Sequence, residues 1–202
     1  MVLRKTFLSL LFALLTCTAA HAYDAKLLSE IPVNGKISAV AMNSATDTAV
    51  VVSETGKSLA IIDTVSHAVT FEIQLPVTPS GVEVHKRLNM AIVASEDGQL
   101  FFYDLKSGAA GGTLDVGTAI HVVAVDEAAN SALLGVDGGF VVVDLTNGKV
   151  SASIKLAGKA VRIGMGKTFA AVVSRDEGGS TLRRKPCNRQ HKKDDLTCGG
   201  CG

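Results

Sequence analysis

Leu59-Ala60-Ile61-Ile62-Asp63-Thr64, Leu100-Phe101-Phe102-Tyr103-Asp104-Leu105 and Phe140-Val141-Val142-Val143-Asp144-Leu145 are three versions of one phrase: an apolar, largely β-branched run that closes on aspartate. The aspartates are spaced 41 and then 40 residues apart. Four positions after each stands a turn residue, His67, Gly108 or Gly148. The last two close Lys106-Ser107-Gly108 and Thr146-Asn147-Gly148, which is hairpin chemistry: short polar residues leading into a position that tolerates positive φ. A fixed period near 40 residues marks a repeat architecture.

A second hairpin keeps the same period. Asn43, His85 and Asp126 each stand four residues before Asp47, Asn89 and Asn130, in steps of 42 and then 41. Strands flank these turns: Ile37 to Met42 with Ala49 to Val52, Val82 to Val84 with Met90 to Val93, and Val122 to Val125 with Ala132 to Val136. A fourth strand closes each copy, as Val69 to Leu75, Gly112 to Val116 and Ser151 to Leu156. A further copy begins with Val161 to Met165 and Thr168 to Val173, and nothing after Ser174 reads as its third and fourth strands. At the other end Leu28 to Val33 resembles Glu72 to Val77 and reads as an orphan fourth strand. The predicted fold is all-β: a β-propeller of four-stranded antiparallel blades, about three and a half of them, left as an unclosed fragment because propellers close with about four to eight.

These residues resemble the YVTN-type β-propeller repeat family, over about residues 25–174. Units of that family run strand, turn, strand, then an Ile-Asp-Thr ending and a short Asn-Gly-like hairpin. The nearest stretch is Val51 to Thr64, although Tyr-Val-Thr-Asn stands here as Val51-Val52-Ser53-Glu54. The resemblance implies that first strands line a central channel, and that an orphan N-terminal strand completes the last blade when a ring closes. WD40 fits less well, since the chain has no tryptophan and no Gly-His near a blade start.

The N-terminus reads as a signal peptide over 1–22, with basic Arg4-Lys5, an apolar run from Phe7 to Leu15 and Ala20-His21-Ala22 for cleavage. That run is shorter than the about 20 residues a spanning helix needs, so the expectation is an exported periplasmic or secreted product without stable membrane insertion. Residues 23–174 form the repeat domain and hold 11 basic against 15 acidic residues; residues 175–202 hold 7 against 4. Nothing in this balance points to nucleic acid. The repeats contain no cysteine, so disulfides do not staple them despite the expected export.

The basic tail 175–202 carries Cys187, His191, Cys198 and Cys201. Its main reading is disordered or frame-shifted sequence. A zinc set would need four ligands paired at short spacing, and only Cys198 and Cys201 are so paired. Haem attachment needs a histidine after the second cysteine, where Gly202 stands. A third reading is a flexible basic tail touching an anionic surface.

No nucleophile elbow, metalloprotease motif or phosphate loop occurs, and no cofactor is implied. Asp63, Asp104 and Asp144 read as turn caps in separate blades rather than as a carboxylate cluster. His67 and His85 read as solvated turn residues. His121 differs, because it lies near the start of a first strand in line with Ser38 and Ser80. These three are the candidate ligand residues at a channel mouth. The functional expectation is a binding or scaffold module for an unspecified protein or small molecule, with self-association through exposed strand edges. The alternative is a fragment of a propeller enzyme, lactonase-like or a quinone- or metal-dependent oxidoreductase, with its site in the channel.

Overall fold

The computed structural model describes residues 29–166, 169–176 and 179–186. Signal residues 1–22, Leu28 and the tail set Cys187, His191, Cys198 and Cys201 lie outside them. The described residues hold thirteen strands and no helix, and hence none long and apolar enough to cross a membrane.

Two sheets are four-stranded antiparallel meanders. Repeat 1 consists of β1 (Ile37–Asn43), β2 (Thr48–Ser53), β3 (Ser58–Asp63) and β4 (Ala68–Gln74). Repeat 2 consists of β5 (Pro79–His85), β6 (Met90–Ser95), β7 (Gln99–Asp104) and β8 (Ala110–Asp115). Their β-branched runs suit the pleated, half-buried surface of a strand. The expected turn positions adopt positive φ throughout: Asp47, Asn89 and Asn130 at the first hairpin, and His67, Gly108 and Gly148 at the last. Lys57 and Gly98 do the same between the second and third strands, and so does Gly138 within β10 (Ser131–Asp144), whose two halves stand for the second and third strands of repeat 3.

The third sheet has five strands, in the order β13-β12-β11-β10-β9. It joins what the sequence separates into a third and a fourth copy. β9 (Ile120–Asp126) pairs with the start of β10 (Ser131–Asp144). β11 (Lys149–Met165) is both the fourth strand of repeat 3 and the first strand of repeat 4. Lys159 is where it changes partner, from Asp137 of β10 to Arg175 of β12 (Phe169–Asp176).

Several expectations are corrected here. The boundary at residue 174 is crossed: β12 runs on to Asp176, and β13 (Gly179–Pro186) supplies the third strand expected to be missing, from residues assigned to a disordered tail. A basic sequence without apolar alternation can form this strand because an edge strand needs backbone partners, and charge there is common. Of the edge expected open at Thr168 to Val173, Phe169 to Val173 is paired by β13, and Thr168 lies outside the described residues. Residues 31–33 form no strand; Ile31 and Val33 instead pack on Val51, Ala60 and Ile62 of repeat 1. His85 is fully buried rather than solvated, its Nδ1 accepting the Leu88 amide at 3.3 Å, whereas His67 is exposed as expected.

The sheets pack face to face in chain order. Val50, Val52, Leu59 and Ile61 of repeat 1 bury against Val82, Val84, Ala91 and Val93 of repeat 2. Ile92, Ala94 and Leu100 meet Ile120, Val123, Ala132 and Leu134 of repeat 3. Phe140 of repeat 3 meets Ala160 and Val172 of repeat 4. First strands neighbour one another along the series, β1 on β5, β5 on β9 and β9 on β11. The hairpin ends are tied as well: buried Asn43 donates to the Lys86 carbonyl at 3.2 Å and to Asn89 Oδ1 at 2.8 Å, and the Lys86 amide donates to Glu127 at 2.9 Å.

Candidate functional site

Every first strand carries one irregularity at the same register. Pairing skips from Ile37↔Ser53 to Ala39↔Val52, from Pro79↔Ser95 to Gly81↔Ala94, from Ile120↔Val136 to Val122↔Gly135, and from Ala160↔Ser174 to Arg162↔Val173. The unpaired residues are Ser38, Ser80, His121 and Val161. A bulge of this kind re-aims the side chain of its extra residue. All four line one cavity of about 320 Å³, so the structure brings together the three residues singled out in the sequence and adds Val161.

Charge of both signs also lines the cavity, through Glu54, Glu96 and Lys159. Glu54 is engaged by Lys36 Nζ at 2.8 Å, and that hydrogen bond raises the lysine's pKa. His121 Nε2 lies 2.9 Å from Asp137 Oδ1, with the imidazole mostly buried and the carboxylate mostly exposed. Glu54, Glu96 and Asp137 are equivalents: each follows the last residue of its pairing with the first strand, in steps of 42 and 41. This acidic series lies outside the turn and strand positions that mark the repeat, although it has the period of the hairpins. In repeat 4 its place is taken by Arg175.

The two serines are not free. Ser80 donates to the Ile120 carbonyl at 2.6 Å, and Ser38 to the Val52 carbonyl at 3.3 Å. Asp63, Asp104 and Asp144 cap their own hairpins, accepting the amides of Val65 and Ser66, of Lys106 and Ser107, and of Thr146. Among the described residues no group of three or more His, Cys, Asp or Glu is placed to hold a metal ion.

The class these observations define is an all-β protein of serially packed antiparallel sheets with a polar cavity at one end of its first strands. No protein-family model matches the chain, and no curated protein matches it significantly. Solved structures match in fold. The computationally designed Ika4 protein is 14% identical, with a TM-score of 0.68 over 81% of this chain and 99% of that one. Hydrazine synthase of Kuenenia stuttgartiensis is also 14% identical, with a TM-score of 0.62 over 81% of this chain and 57% of that chain.

Proposed function

We propose that this chain is an exported arc of a β-propeller of the YVTN-repeat type, with four repeats as its blades, and that it works as a binding module through the cavity at the mouth of its axis. Four-stranded meanders packed in series, with first strands adjacent, support the propeller reading. The observation that carries the binding role is the convergence of four equivalent bulge residues, one from each repeat, on one cavity. Its volume of about 320 Å³ suits a small molecule, and carboxylates beside an ammonium suit a polar ligand bearing donors and acceptors. The enzyme reading has the His121–Asp137 pair in its favour, since a carboxylate can orient an imidazole for proton transfer. Binding asks less of the site, because the cavity serines are already committed to carbonyls.

The test is thermal unfolding of the purified protein against a panel of small sugars, amino acids and carboxylates. At least one class should raise the midpoint for the parent and lose that effect in Glu96→Gln and His121→Ala. A panel without any stabilising class, or stabilisation unchanged in both variants, overturns the binding role.

A further inference from the structure

Repeats 2 and 3 bury equivalent positions of their first strands against the repeat before, although Val125, the equivalent of Val84, is only half-buried, as is Ile163 in repeat 4. In repeat 2, Pro79 is buried and Val82 and Val84 are each 4% exposed; in repeat 3, Ile120 and Val123 are 0% and 6% exposed. The register makes Ile37, Val40 and Met42 their equivalents in repeat 1, and these are 50%, 58% and 53% exposed. Ile31 and Val33 cover only the outer part of that face, over Val51, Ala60 and Ile62. An apolar stripe equivalent to the interface between repeats is thus exposed on β1, with no further cover among the described residues.

At the other end of the series repeat 4 has the matching open side. Ala160, Ile163 and Val172 face repeat 3, so strand alternation turns Arg162, Gly164, Ala171 and Val173 the opposite way. Arg162 and Gly164 are exposed, and Ala171 and Val173 are half-buried.

We infer that a second copy of this chain covers the bare stripe, its repeat 4 packing on repeat 1 of the first copy as each repeat packs on the next within one chain. The argument is continuity with the interface repeated three times inside the chain: what fits the back of a repeat is the front of another, and a second copy presents one. Applied twice about a two-fold axis the contact is met at both ends, and the four described repeats of each copy make eight, within the range of about four to eight that propellers use. This rests on the propeller reading and is independent of any ligand in the cavity.

Sedimentation velocity of the purified protein over a concentration series, with Val40→Glu/Met42→Glu alongside, tests it. The parent should dimerise, and the variant, altered only at exposed positions, should associate about a hundredfold more weakly with an unchanged unfolding midpoint. A parent that stays monomeric, or a variant that dimerises as well as the parent, overturns the inference. With the native cysteines replaced by serine, a mixture of Val40→Cys and Val173→Cys copies should form a mixed disulfide dimer. Cross-linking of Val40→Cys with itself alone would instead show a back-to-back contact and overturn the head-to-tail arrangement. Neither result bears on the ligand panel, so the two proposals fail separately.

Discussion

Ser80 Oγ donates to the carbonyl oxygen of Ile120 at 2.6 Å, tying the bulge of β5 to the first residue of β9. The bond crosses from one repeat to the next at the cavity rim, where Ile120 is fully buried. Ser80→Ala removes the donor and leaves that carbonyl short of a partner, which costs about 1–2 kcal/mol. Urea unfolding should show this as a lower midpoint with an unchanged slope. An unaltered midpoint would mean that water replaces the hydroxyl without loss.

Asn43 makes the corresponding tie at the opposite ends of the first strands. Its amide nitrogen serves the Lys86 carbonyl and Asn89 Oδ1, and its Oδ1 accepts the Ala45 amide at 3.1 Å, all from a fully buried side chain. Asn43→Ala strands these groups and should destabilise by about 2–3 kcal/mol. Asn43→Asp keeps the turn cap but gives up both donors, so it should recover little. Full rescue by Asp would locate the stabilisation in the turn rather than in the contact between repeats.

The hairpins and the line of Ser38, Ser80 and His121 were legible because turns and first strands repeat their residue types at a fixed period. Glu54, Glu96 and Asp137 repeat just as regularly, but a solvated turn next to a strand end offers the same residue types, so the approach of Glu54 and Glu96 to one cavity, and of Asp137 to His121 on its rim, needs the packing of the repeats. β13 was illegible because the partner that makes Gly179–Pro186 a strand is the backbone of β12, not an apolar rhythm of its own. The fusion within β11 was hidden for a related reason. Repeats 1 and 2 are separated at Leu75-Pro76-Val77-Thr78, where proline interrupts the ladder, whereas Leu156-Ala157-Gly158-Lys159 has no proline: pairing with β10 skips 156–158 and resumes at Lys159, which pairs on both sides.

Asp63 and Asp104 make stability depend on acid. Amides of Ser66 and then Val65 hold the Asp63 carboxyl below its usual range, and the Ser107 hydroxyl and then its amide do so for Asp104. A depressed folded pKa means stability that is fully present above the ordinary carboxylate value, about 4, and is lost as pH falls through the folded value. Asp104→Asn should therefore lower the unfolding midpoint at neutral pH, with the gap to the parent closing below about pH 4. A gap that does not change with pH would assign the effect to shape rather than charge.

Glu83 works with the opposite sign. Burial in β5 pushes its carboxyl up, opposed by the Val84 amide and Lys86. A raised folded pKa favours the protonated folded state, so this contribution is present at low pH and lost as pH rises through the folded value. Glu83→Gln removes the half-buried charge and should raise the midpoint at pH 7, with no gain near pH 4. Destabilisation at pH 7 would show that the carboxylate has a favourable partner there.

Gly138 and Gly139 sit side by side in β10 and should respond differently to alanine. Gly138 has a φ of +70° with open space around a notional Cβ, so Gly138→Ala meets only backbone strain, about 1–2 kcal/mol. Gly139 has no such φ, but a Cβ there would strike the carbonyl oxygen of Ile154 on β11, backbone that cannot retreat without opening the β10–β11 ladder. Gly139→Ala should cost more, about 2–3 kcal/mol. It should also loosen the β10–β11 ladder within repeat 3, seen as faster amide exchange at Ile154 and Lys155, which Gly138→Ala leaves alone. If alanine is tolerated equally at both positions, β10 and β11 do not approach this closely, and the fused five-stranded sheet is wrong at this point.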